Sequence, residues 1–312
     1  MSHLYNPLVT VNQLYDRVIN NDLHLEIQET IRIYTARFTQ AAGVLLRLPQ
    51  SITAKANVIL FRYWTVDDIM KHEFSDISAT TIYMTTKISG ISCSLTNIIN
   101  VYAYLLSHNT PLSMNTSRGP PELDPTSYYV SFSTYQANRT RILHLEGQIL
   151  NALGFNLHVA LPHPLAIIYL QTLDLLTSTD KTGQSVALRT IAYLNTALLS
   201  PQMLYLTHQP YQLATAAIYL STREMNIALP ECAWWEVFDC EREDVGFLIV
   251  AMMSVETLVE RERGRWDNKD MILRADIAAA IKKSNNGWEQ SESGEDEESR
   301  MAKLLDEKVA KI

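Results

Sequence analysis

Apolar residues in this chain recur mostly three and four positions apart, the period of an α-helix buried along one face. Ile52, Ala56, Ile59 and Tyr63 step by four, three and four, and Pro49 stands where a helix starts, after the run Gln40 to Leu48. Phe74, Ile77, Thr81, Met84 and Ile88 repeat the pattern, with Gly90 placed as a stop. A further helix is predicted through Thr96, Ile99, Tyr102 or Ala103, and Leu106. Another covers 133–153 on the stripe Ile142, Leu145, Ile149 and Ala152, closed by Gly154. The second series opens at Pro162-His163-Pro164, where an X-Pro step enforces an extended approach before a new helix. Helices are predicted there over 164–177, 183–199, 209–225 and 243–260, with a short one from Cys232 to Phe238.

This pattern divides the chain. Residues 1–25, with Pro7 and the polar cluster Asn20 to Asp22, read as an N-terminal extension. A first helical block covers 26–155 and contains a linker at 109–131 with Pro111, Pro120, Pro121 and Pro125. The second block covers 160–260, and 261–312 is a charged, acid-rich tail. The two blocks are related. Ala79-Thr-Thr-Ile-Tyr-Met-Thr-Thr-Lys87 aligns with Thr215-Ala-Ala-Ile-Tyr-Leu-Ser-Thr-Arg223 at a constant offset of 136 residues. Small residues let neighbouring helices approach closely, so each segment reads as the hub of its own five-helix bundle, repeated once.

Composition narrows the class. The chain has 312 residues, 47% hydrophobic and 19% charged, with only 10 Gly and 11 Pro, which leaves little for a turn-rich β fold. There is no run of about 18 apolar residues to span a membrane. No basic stretch followed by an apolar core marks a secretory signal. Cys93, Cys232 and Cys240 are too few for a disulfide framework and lack metal-ligand spacing. The net charge of −8 argues against direct nucleic-acid binding, which needs cations to displace counterions from phosphates.

Catalytic chemistry is hard to find. The scattered glycines form no phosphate-binding loop, and H-E-x-x-H and G-x-S-x-G are absent. Asp67-Asp68 lacks further carboxylates for a magnesium site and reads as a helix cap. His158 and His163 flank a turn without a third ligand. The expectation is a protein that is no enzyme and has no catalytic residues, no metal site and no cofactor.

Several runs carry a family resemblance. Gln40-Ala-Ala-Gly-Val-Leu-Leu-Arg-Leu-Pro-Gln50, Ile99-Asn-Val-Tyr102 and Leu153-Gly-Phe-Asn-Leu-His-Val159 resemble the first box of the cyclin L family. Leu161-Pro-His-Pro-Leu165, Tyr169-Leu-Gln-Thr-Leu173, the stretch from Gln209-Pro210 through Ile218-Tyr-Leu, Ile227-Ala-Leu-Pro230 and Trp234-Trp235 are similar to its second. The likeness runs in register over roughly residues 33–260. It implies an all-α fold of two tandem cyclin boxes, and a regulatory subunit that binds and activates a cyclin-dependent kinase of the transcription and RNA-processing group in the nucleus.

The resemblance also assigns residues. Lys87 matches a Lys that ends the third helix of cyclins, and Glu146 a Glu of the fifth, both hydrogen-bonded to kinase backbone near its αC helix. Ile88, Leu150 and Phe155 match apolar kinase contacts. Trp234 and Trp235 read as core packing of the second box or as candidate anchors for a further regulatory subunit on it. The chain departs from the family after Lys87: where cyclins carry acids and cyclin L adds basic residues, Ile88-Ser-Gly-Ile-Ser-Cys-Ser94 is uncharged. An acidic stretch, 289–299, stands in place of an Arg/Ser-rich tail, and Ser291 and Ser293 within it suit an acid-directed kinase. Two other readings keep the fold: an adaptor without kinase activation, and a TFIIB-like transcription factor, whose helices would be basic.

Overall fold

The computed structural model describes residues 4–10, 12–14, 23–91, 93–107, 129–176, 181–266 and 271–282. Most of the 109–131 linker, the two tail serines and the amphipathic run Met301 to Ile312 lie outside them. All regular structure among the described residues is helical, and none of these helices is long and apolar enough to cross a membrane. Residues up to Met271 form one compact unit; in the second, a helix over 274–282 starts with the Leu273 amide donating to the Asp276 carboxylate.

The first box comprises α1 (Leu25–Leu45), α2 (Gln50–Val66), α3 (Phe74–Ile88), α4 (Leu95–Leu106) and α5 (Phe132–Ala152). α3 packs against all four others and is the hub that the repeat predicts. Its many hydroxyls would be costly to bury unpaired. Thr80, Thr81, Thr85 and Thr86 each donate to a carbonyl three or four residues back. Ser78 joins Thr39 of α1 and Tyr102 of α4, each at 2.6 Å. The hub is thus held by small side chains and a closed hydroxyl network as well as by apolar burial. Gly43 explains part of the run Gln40 to Gln50: a Cβ there would lie 2.2 Å from the Thr53 hydroxyl, so only glycine permits this approach of α1 to α2.

The second box is built from α6 (Pro162–Thr172), α7 (Lys181–Ala197), the one-turn α8 (Leu204–Thr207), α9 (Pro210–Glu224), a 3₁₀ turn (Trp234–Phe238) and α10 (Arg242–Arg265). α9 packs on α6, α7, α10 and the 3₁₀ turn, so the second half of the repeat is a hub as well. Both hubs end in a Schellman turn: Gly90 and Asn226, again 136 apart, take φ of 68° and 53°. Ile91 and Ile227 then donate to Thr86 and Thr222 at 3.2 and 2.9 Å.

Three expectations shift. The buried stripe of α4 is Ile98, Ile99, Tyr102 and Leu105; Thr96 and Leu106 are exposed, because the helix presents the neighbouring register to the core. α6 stops at Thr172 rather than 177, because Asp174 turns left-handed (φ 56°) and Leu175 donates back to Leu170. α10 continues to Arg265, past residue 260, since Arg261 and Arg265 still reach Glu29 and Glu26 of α1 at 3.8 and 2.8 Å.

Candidate functional site

The hub helix α3 and helix α5 finish side by side, each in a Schellman turn. Gly90 closes α3; Gly154 (φ 56°) closes α5, with Phe155 donating to the Leu150 carbonyl at 2.9 Å. This turn places one apolar residue just beyond each helix end, Ile91 and Phe155. Between the ends, the Lys87 ammonium donates to Oε1 of Glu146 at 2.6 Å. The structure therefore brings the two charged positions together as a pair, which spacing in the sequence does not disclose.

The partners differ in exposure. The Glu146 side chain is only 14% exposed, while that of Lys87 is half open and lies 5.0 Å from the centre of the Tyr83 ring. The hydrogen bond from Lys87 to Glu146 raises the lysine pKa above its ordinary value, so it is charged throughout the physiological range. Solvent-exposed ion pairs stabilise a fold by about 1 kcal/mol at most, so this pair adds little to stability. Its hydrogen-bonding capacity is only partly used: an ammonium has three donors and a carboxylate several acceptor sites.

Apolar side chains on the two helices and just past their ends are open to solvent. Ile88 is 58% and Phe155 68% exposed; Ile91 and Leu143 are also exposed, and Leu150 is half-buried. Ile91 and Leu143 were not singled out by sequence reasoning; the position of Ile91 directly after the glycine stop was the available signal. Ser89, Gly90, Ile91, Cys93 and Ser94 add no charge. The α3 end thus combines one ion pair with an uncharged segment and the exposed apolar side chains of Ile88 and Ile91.

The other candidates fall elsewhere. Trp234 is 4% exposed and packs with Phe238, whose ring stacks on Tyr169 at 3.9 Å; it belongs to the core of the second box and is unavailable as an anchor. Trp235 is half-buried, beside the exposed Val237. Asp67 ends α2 and accepts from Tyr63 and Lys71 at 2.6 and 2.8 Å. His163 bonds Asn195 at 3.0 Å. Among the described residues, no group of three or more His, Cys, Asp or Glu is placed to hold a metal.

Two bundles of this layout, each with a small-residue hub, define a two-box cyclin fold. Two solved structures share it. A chain of the crystal structure of the yeast RNA Pol II CTD kinase CTDK-1 complex superposes with a TM-score of 0.61 at 12% identity, covering 80% of this chain and 73% of that one. A chain of the Chaetomium thermophilum CAK complex bound to ATP-gamma-S gives 0.53 at 17%, covering 88% and 78%. No family model matches the chain. Its sequence is 26% identical over 240 residues to human Cyclin-L1 and to Cyclin-L2 of Rattus norvegicus. It is 27% identical over 235 residues to Cyclin-L1 of Danio rerio. The chain thus has the cyclin fold and is similar in sequence to the cyclin L proteins. These alignments cover 74–77% of the chain but only 42% of each relative's length.

Proposed function

We propose that this chain is the regulatory subunit of a cyclin-dependent kinase of the transcription and RNA-processing group, and that it binds and activates that kinase through the ends of α3 and α5. The observation that carries this reading is the Lys87–Glu146 pair at 2.6 Å, on the same two helices whose ends expose Ile88 and Phe155. An apolar helix of the partner, laid over these side chains, removes them from water. The remaining donors of Lys87 and acceptors of Glu146 then meet partner backbone, which sets the register of the contact. Such a surface favours the inward position of the kinase αC helix, where its Glu pairs with the strand-3 Lys. The shift extends only as far as the difference in affinity for the two positions. Nothing in this mechanism asks the chain for catalysis or a cofactor. A nuclear site of action and a further subunit near Trp235 and Val237 belong to the same reading.

The test is to purify the protein from its own cells and identify the co-purifying kinase, then repeat with Lys87→Ala/Glu146→Ala. An active kinase that is present with the wild type and lost with the double variant supports the reading. The uncharged Ile88 to Ser94 segment favours one alternative, an adaptor that does not activate a kinase. That reading replaces the first if other proteins co-purify and no kinase does.

A further inference from the structure

Residues 4–10 lie across the junction between the boxes, and the seating of Asn6 is unusual for an N-terminal extension. Asn6 is 6% exposed. Its side-chain amide pairs with the backbone of Ala160 at both ends: Nδ2 donates to the Ala160 carbonyl at 2.9 Å, and Oδ1 accepts the Ala160 amide at 2.7 Å. Its own backbone is held in the same two-point way by a side chain, with the Asn6 amide donating to Gln209 Oε1 and Gln209 Nε2 donating to the Asn6 carbonyl, both at 3.0 Å. Arg62 of α2 adds a third tie, from Nη1 to the His158 carbonyl at 2.6 Å and from Nη2 to Asn6 Oδ1 at 3.4 Å.

One residue therefore contacts three parts of the architecture: the first box through Arg62, the connector between boxes at Ala160, and the entry of the second hub at Gln209. The segment continues with Val9 donating to the Leu206 carbonyl at 2.9 Å and Tyr5 set edge-on to Tyr211 at 6.0 Å. Its larger apolar side chains are largely outside: Leu4, Tyr5 and Leu8 are all well exposed. The segment is held chiefly by the hydrogen bonds of one buried asparagine, with Val9 and Tyr5 adding single contacts, rather than by burial of its larger apolar side chains. Elements with few buried apolar contacts open at low free-energy cost while the core stays folded.

The geometry points to residues 4–10 as a detachable strap, keyed by Asn6, whose seating couples the second box to the first. Other ties remain when it lifts: Gln50 to Asn195 at 3.0 Å, and Arg265 to Glu26 at 2.8 Å. Lifting the strap thus loosens the junction without separating the boxes, and a protein that captures the strap would change how firmly the second box is held.

The test uses hydrogen exchange on the full chain, a version starting at residue 11, and Asn6→Ala in the full chain. The expected result is at least tenfold faster exchange around Ala160 in both variants, with α3 and α9 protected as before. A synthetic peptide of residues 1–14 added to the shortened protein restores the slow exchange, and the same peptide carrying Asn6→Ala does not. Unchanged exchange around Ala160 would overturn the proposal, as would failure of the peptide to restore it. If the shortened protein does not fold, Asn6→Ala decides: loss of protection throughout both hubs would make the segment part of the core and not a strap.

Discussion

At the end of α3, a lysine on the hub reaches to a glutamate of α5; at the end of α9, a glutamate on the hub is held by an arginine of α7. Arg189 donates to both oxygens of Glu224 at 2.5 Å, and Tyr193 adds a third bond at 2.8 Å. The hubs are repeats of one another to the last turn and share the same left-handed stop. Their surroundings are not alike. In the first box Ile88, Ile91 and Phe155 stand exposed at the ends of α3 and α5; in the second, Glu224 occupies the position that corresponds to Ile88, and Ile227 is half-buried. The glutamate of the first pair is mostly covered, whereas both members of the second are open to solvent. A duplicated scaffold thus carries two different ends, and a handful of residues past the last hub turn decide which one presents an apolar surface to a partner.

The largest contrast is expected in binding. Truncating one partner of a charge pair that an interface buries costs about 2–5 kcal/mol. Lys87→Ala/Glu146→Ala should therefore abolish capture of the kinase, and Arg189→Ala/Glu224→Ala should leave it intact, as read by titration calorimetry with the kinase. Capture by both variants alike would remove the distinction between the ends.

The hubs themselves should respond equally. Ile82 and Ile218 hold corresponding positions and are fully buried. Replacing a buried Ile by Ala costs about 2–5 kcal/mol, and denaturant unfolding of the two variants should give losses within that range for both. A much smaller loss at Ile218 would show that the second hub is less tightly packed than its twin.

The stops differ in a way that a smaller effect can probe. Gly90 has φ of 68°, where a side chain costs about 1–2 kcal/mol, so Gly90→Ala should destabilise by that amount. Asn226→Gly, at the matching stop, should be neutral or mildly stabilising in the same unfolding measurement.

Acidification should weaken the second box. His163 and His208 both lie there, and burial holds each below the ordinary histidine pKa, against opposing pulls from the Asn195 hydrogen bond and the Asp244 carboxylate. A base harder to protonate when folded contributes stability above its unfolded pKa of about 6.5 and loses it as the pH falls toward the folded value. The melting temperature should drop as the pH falls below about 6.5, and His163→Gln/His208→Gln should flatten that drop. The smallest effect is expected for Arg189→Ala on stability, about 1 kcal/mol or less, because its ion pair is exposed.

Much of this was legible in the chain, for identifiable reasons. The hub repeat could be read because small residues and a glycine or asparagine stop recur at one offset. Lys87 and Glu146 were each assigned through the resemblance, but that they bond to each other depends on two helices meeting across 59 residues of chain. Trp234 and Trp235 could not be told apart in sequence, where core packing and partner anchoring both stood open, and packing against Phe238 separates the buried one from its neighbour. The register of α4 slipped because its apolar residues surround most of the helix, so periodicity alone could not choose the face. Asn6 gave no signal at all, since a polar residue next to Pro7 in an extension resembles any turn.

The all-helical class, the two boxes and their hubs follow from the order of residues along the chain, because helical period and small-residue repeats are local properties that survive in one dimension. The tertiary structure alone decided which charges pair, which tryptophan is buried and where the N-terminal segment lies. Those outcomes depend on which surfaces meet, and side chains distant in the chain acquire their partners, burial and shifted pKa values only after the helices have packed.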